Sequence, residues 1–151
     1  MSDRPVACLL SGGLDSSLIT SIVCYLVGAA NVRTYSVGME GSEDLKYARR
    51  VADYLGTVHT EALFTPEEGF AAIPEVIRDL ESYDITTVRA SVGMWLMAYY
   101  ISQNRDDIVL LSGEGADELF CGYLYFHYAP GVSELEEESR RLLKELSLIH
   151  I

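Results

Sequence analysis

Val6-Ala7-Cys8-Leu9-Leu10-Ser11-Gly12-Gly13-Leu14-Asp15-Ser16-Ser17 is the stretch whose reading decides the fold. Residues 6–10 are apolar on both sides of an extended chain, as a strand buried inside a parallel sheet should be. Residues 14–27 then read as a mostly apolar helix. Between the two, Gly12 and Gly13 let the backbone approach an anion closely, and Ser11, Ser16 and Ser17 add hydroxyl donors. The helix N-terminus supplies free N–H groups and positive dipole character. The loop is not a mononucleotide P-loop, because GxxxxGK[ST] needs a lysine and none is present. Asp15 is the telling residue. A carboxylate beside phosphates is repulsive unless a cation lies between them, so the loop implies magnesium.

The same alternation continues outward. Residues 33–37, 57–63 and 108–111 read as further strands. Ser42 is placed as an N-cap, and Glu43 and Asp44 suit the positive end of a helix dipole. Leu45, Ala48, Val51, Ala52 and Leu55 then mark one helical face, which Gly56 closes. Pro66 opens a helix running towards Leu80, with Pro74 a candidate kink or break. Residues 88–101 form another helix, and a short one starts near Asp117. Strands separated by helices give an α/β fold with a doubly wound parallel sheet flanked by helices, its ligands at the carboxyl ends of the strands.

Composition narrows the class. A chain of 151 residues, 49% of them hydrophobic, suits one domain with a real core. No run approaches the ~20 apolar residues of a membrane helix. The polar start, Met1-Ser2-Asp3-Arg4-Pro5, is no signal peptide. A soluble, cytoplasmic protein without a membrane partner is expected. Cys8, Cys24 and Cys121 form no CxxC or His/Cys cluster, which argues for reduced thiols, with Cys8 and Cys24 in the core. The net charge of −12 disfavours a nucleic-acid partner. Much of the acid lies in residues 134–138, a solvated helix face with Arg140 and Arg141 four residues beyond Glu136 and Glu137. Both ends read as cut. Residues 1–145 are expected to be a partial domain, and residues 146–151, which match one reading frame of a common sequencing adapter, a non-native tail.

A second loop repeats the design. Residues 108–111 lead into Ser112-Gly113-Glu114-Gly115-Ala116-Asp117-Glu118, again a strand, a Ser-Gly turn and an acidic helix start. Acid at a helix N-terminus is favourable anyway, so this segment gains weight only beside the first. Two such strands side by side would put Asp15 and Asp117 around one phosphate-bound magnesium cluster, with Glu114 facing the reacting centre. His59 and His127 read as a strand-end and a surface residue. Trp95, Met97 and Tyr99 read as packing on a helix.

These two loops, joined by Tyr35-Ser36-Val37-Gly38 and Thr86-Thr87-Val88-Arg89-Ala90-Ser91, resemble the synthetase domain of glutamine-hydrolysing asparagine synthetases. The likeness runs from about residue 5 to about residue 144 and includes Gly122-Tyr123-Leu124-Tyr125-Phe126-His127. The resemblance implies the adenine nucleotide alpha hydrolase-like fold of the ATP pyrophosphatase type, truncated here. It implies ATP and Mg2+, aspartate as substrate, and ammonia from glutamine hydrolysed in another domain. It leaves open a homodimer for the full enzyme. Carried over by position, residues 11–17 would cradle the pyrophosphate of ATP through Ser11, Gly12, Gly13, Asp15, Ser16 and Ser17. Leu10, Val37, Ser112 and Gly113 would hold the adenosine side, and Asp15 and Asp117 the magnesium. Glu114 matches the acid needed to form β-aspartyl-AMP. Arg89, with Thr86 and Thr87, would grip aspartate, since a guanidinium fork suits a carboxylate. Cys121 departs from the pattern by standing where the family usually has Gly. Two rivals remain open: a β-lactam synthetase-like ligase activating another carboxylate, and a nucleotide-binding module without catalysis. A tRNA-modifying relative is disfavoured by the acidic balance.

Overall fold

The computed structural model describes residues 5–104 and 109–149, which divide into two compact units, Met1–Ser112 and Gly113–Ile151. In the first unit, β1 (Val6–Leu9), β2 (Arg33–Gly38), β3 (Val58–Leu63) and β4 (Val109–Leu111) form one sheet in the order β3-β2-β1-β4. Every pairing is parallel. Its α-helices are α1 (Leu14–Val27), α2 (Glu43–Leu55), α3 (Pro66–Leu80) and α4 (Ile85–Asn104), with a 3-10 turn at Ala29–Asn31. Ile108, the first residue of the expected fourth strand, lies outside the described residues.

The period of two along β1 explains how both faces are covered. Cys8 packs with Val23 of α1, and Leu10 with Ala48 and Ala52 of α2. Ala7 points the other way, into a cluster with Tyr35, Met97 and Ile101 of α4. On that side α3 joins α4 through Ala72, Val76 and Val88. The sheet is therefore doubly wound, as the alternation of elements predicts.

Local signals fix the helix ends, with three departures from expectation. Gly56 closes α2 in the left-handed region at φ 78°. Ser42 does sit at the N-cap of α2, but its buried hydroxyl has no partner among the described residues and caps nothing. Pro74 does not break α3, which continues to Leu80; Ala72 and Val76 on either side are anchored against Val88. A capping box between Thr65 and Glu68 starts that helix, with Pro66 as its first residue. α4 begins three residues earlier than the apolar period suggests, because Asp84 Oδ2 accepts from Thr87 N at 2.7 Å and Thr87 Oγ1 at 2.8 Å. Finally, His59, one residue from the start of β3, has partners that the sequence does not suggest. It lies within β3, half-buried, its Nδ1 2.9 Å from Thr34 Oγ1 and its Nε2 3.1 Å from Ser36 Oγ.

The second unit holds α5 (Ala116–Phe120), a 3-10 turn at Leu124–Tyr128 and α6 (Val132–Ile149). Tyr123, Tyr125 and Phe126 stack on one another, and Tyr125 donates to Glu138. On α6 Arg141 grips Glu138, three residues back, through Nε at 2.8 Å and Nη2 at 2.7 Å. His150 and Ile151 of the expected tail lie outside the described residues.

Candidate nucleotide site

The strand order creates the site. The chain passes from β1 outward to β2 and β3, then returns to the other side of β1 as β4. The boundary between β1 and β4 is thus the topological switch point, where open parallel sheets bind ligands beyond the carboxyl ends of their strands. Register pairs Cys8 with Leu111, so the first loop and Ser112, the last residue of the first unit, follow adjacent strands.

The first loop is pinned from within. Ser16 is buried, and its Oγ takes a hydrogen bond from Ser11 N at 3.2 Å, lies 2.9 Å from Ser11 Oγ and donates to Gly13 O at 3.3 Å. Of the three expected hydroxyl donors, Ser16 and Ser11 therefore brace each other. Ser17 Oγ is different: it is buried and has no partner among the described residues. A buried hydroxyl with nothing to bond is costly unless a ligand completes it. Gly12 is obligatory on two grounds. Its φ is +82°, and a Cβ there would come within 2.5 Å of the Tyr47 carbonyl carbon and 2.6 Å of Ala48 N, both in α2. Asp15 is half-buried in the first turn of α1. These features fit an anion with a cation beside it: a cradle that a Cβ would fill, an orphan hydroxyl and a carboxylate.

The other expected residues of the first unit fall around the same edge. Leu10 is buried against α2, its N–H donating to Tyr35 O at 2.8 Å, and Val37 packs in the α4 cluster. Gly93 of α4 lies against Val37, while Met97 and Ile101 reach the deeper Tyr35 and Ala7. α4 therefore runs antiparallel to the strands, and Arg89, one turn before Gly93, projects at their carboxyl ends. Arg89 and Thr86 are exposed, and Arg89 has no carboxylate partner among the described residues. The Thr87 hydroxyl is engaged by Asp84, which makes Asp84 the part of this region that composition alone did not flag. The Asp-x-x-Thr spacing was its signal.

In the second unit Gly113 O accepts from Ala116 N, and Gly115 turns the chain at φ 85° into α5. Ser112, which ends the first unit, and Gly113 are half-buried, Glu114 is exposed, and Asp117 is half-buried in the first turn of α5. Tyr123 donates its hydroxyl to Glu118, and that bond is the main reason its pKa is pushed up to about 12. No three His, Cys, Asp or Glu side chains gather into a metal cage among the described residues. A hard cation held by one or two carboxylates plus phosphate oxygens needs no such cage. Among the described residues no helix is long and apolar enough to cross a membrane.

Known structures share this architecture. An NH3-dependent NAD synthetase from Campylobacter jejuni superposes with TM-score 0.55 at 20% identity, covering 81% of this chain and 52% of that one. An NMN synthetase from Francisella tularensis gives TM-score 0.51 at 14% identity, covering 98% and 65%. At such identities the likeness shows the fold alone: an α/β fold with a parallel sheet flanked by helices. Sequence carries the assignment further. Residues 1–148 match the asparagine synthase family, and the chain belongs to that family. It is 56% identical to the glutamine-hydrolysing asparagine synthetase of Mesocricetus auratus and 54% identical to that of Homo sapiens. Each alignment covers 100% of this chain, which spans 28% of the length of either relative.

Proposed function

We propose that this chain is the ATP-binding core of an asparagine synthetase. ATP and aspartate meet at the carboxyl edge of the sheet, where an oxygen of the aspartate side-chain carboxylate attacks the α-phosphorus. The bond from that phosphorus to the bridging oxygen breaks, pyrophosphate leaves, and β-aspartyl-AMP forms. Ammonia, supplied by glutamine hydrolysis elsewhere in the full enzyme, then attacks the acyl carbon, and AMP departs with the bonding pair. Adenylylation turns a carboxylate that resists amines into an acyl phosphate with a good leaving group, so positioning and charge stabilisation are most of what the protein must supply.

The carrying observation is the loop after β1, at the switch point of a sheet in the asparagine synthase family, with Gly12 jammed against α2 and Ser17 left unbonded. In this reading the loop N–H groups and Ser17 hold the pyrophosphate, and Leu10, Val37, Ser112 and Gly113 hold the adenosine. Asp15 and Asp117 would be the residues that hold magnesium, which would supply positive charge to offset that of the pyrophosphate. Glu114 serves the adenylylation step, and Arg89 with Thr86 binds the aspartate. Thr87 positions this turn through Asp84 while remaining near the substrate.

The test grafts residues 5–144 into the matching span of the 54%-identical human relative and follows exchange of labelled pyrophosphate into ATP. Exchange that requires aspartate is expected. Exchange driven instead by a different carboxylic acid would replace aspartate with that substrate, and a well-folded graft that binds ATP without exchange would reduce the chain to a nucleotide-binding module.

A further inference from the structure

The turn that leaves α5 folds back on the helix it has just left. Cys121 N and Gly122 N both donate to Asp117 O, the latter at 2.9 Å, and Tyr123 donates its hydroxyl to Glu118. Gly122 goes further than its hydrogen bond. A Cβ at this position would strike Asp117 Oδ1, lie 3.0 Å from its Cγ and 3.2 Å from its Cα. The demand on residue 122 is one of space and not of backbone conformation, because the positive φ in this turn belongs to its neighbour Cys121 and the Asp117 carboxylate is what would have to give way. The Asp117 carboxylate rests on the bare Cα of Gly122.

We propose that Gly122 is a positioning residue for Asp117: its missing side chain creates the slot that fixes the rotamer of this carboxylate, and so its aim as a magnesium ligand. The inference rests on the magnesium role given to Asp117 above. A short carboxylate has few staggered positions. A methyl at 122 removes the one it occupies and drives the oxygens elsewhere, whereas a metal site tolerates only small errors in ligand geometry. Gly122→Ala should therefore act on the cation through Asp117, while most of α5 stays in place.

Two measurements on the full chain test this separately. The first is a stability cycle. Gly122→Ala should lower the thermal midpoint by about 3 °C, and by less than half as much in an Asp117→Ala background, where Oδ1 and Cγ are gone and only the contact with Cα remains. The second follows Mn2+ by electron paramagnetic resonance as it binds with ATP. Gly122→Ala should weaken Mn2+–ATP binding about tenfold, a 1.4 kcal/mol effect, and should add nothing once Asp117→Asn is present. Equal midpoint losses in both backgrounds would overturn the slot. Undiminished Mn2+–ATP binding by Gly122→Ala, with Asp117→Asn impaired, would overturn its role in aiming the ligand. If Asp117→Asn itself leaves Mn2+–ATP binding intact, the magnesium assignment fails, and the cycle still reports whether the packing contact exists.

Discussion

At the scale of single residues, chemistry was easier to read from sequence than surroundings. Asp15 announces itself, since an acid in a phosphate loop needs a cation, and the structure half-buries it in the first turn of α1. Asp15→Asn in the graft should cut ATP–pyrophosphate exchange by about 10²-fold or more, because the change keeps size and removes only charge; normal exchange would end its metal role. The bridge from His59 to Thr34 and Ser36 is not legible in sequence, because the strand pairing between β2 and β3 that sets it is invisible along the chain. Burial, then the charge of Arg49, lowers the His59 pKa, while Glu61 and Asp53 oppose the shift. A depressed folded-state pKa means the unfolded chain binds the proton more readily. The neutral bridge thus contributes stability above the ordinary histidine pKa of about 6.5 that is lost as pH falls through the lower folded value. Melts at pH 7.5 and pH 5.5 should show a larger acid loss for the wild type than for His59→Gln. Cys121 gives the opposite kind of test. It holds φ 56° at the end of α5, a conformation costing roughly 1 kcal/mol for a residue with a Cβ. Cys121→Gly should stabilise the chain by about 0.5 kcal/mol or more, glycine's unfolded-state entropy offsetting part of the gain, as urea denaturation would measure.

At the scale of elements, apolar periodicity located every strand and helix of the sheet, and polar caps set the ends it missed. α1 matched its expected bounds because Gly13 and Gly28 punctuate it. α4 did not, because Thr86 and Thr87 look like loop residues until Asp84 is recognised as their cap. In the proposed reading that cap matters to the site, since it shapes the turn that carries Thr86 and Arg89. Asp84→Ala should cost about 1 kcal/mol of stability. In the graft it should also raise the KM for aspartate while leaving ATP binding unchanged. Arg89→Lys, which keeps charge and loses the bidentate fork, should do the same to KM with no loss of stability. An unchanged KM in both variants would detach this turn from substrate binding. The second loop was legible as a motif, but the slot that Gly122 makes for Asp117 was not, because a glycine's reason lies in what presses on it.

At the scale of the whole molecule, the sheet is covered on both faces but its outer layer is not. α1 is apolar nearly all round, which is the pattern of a helix buried on every side. Its inner face packs on β1, yet Leu14, Leu18, Ile22 and Tyr25 form an exposed stripe at helical spacing, with Leu14 at 81% and Tyr25 at 88% exposure. An exposed apolar stripe of this length is an association surface. The chain spans 28% of the length of the family relatives, so proteins of that length carry further segments able to cover such a stripe. Stability is a small difference between large terms, so an uncovered apolar face leaves little margin. The isolated chain should therefore self-associate at micromolar concentration, bind ATP weakly, and form no asparagine from ATP, magnesium, aspartate and ammonium. Ile22→Glu with Tyr25→Glu should shift it towards monomer in sedimentation, since each replacement sits in the stripe and beyond the loop of residues 11–17. In the graft the same two changes should impair folding, because there the stripe is expected to be covered. Asparagine and AMP appearing in step from the purified chain alone would show that the catalytic unit is complete within these 151 residues, and that the α1 stripe serves some other contact.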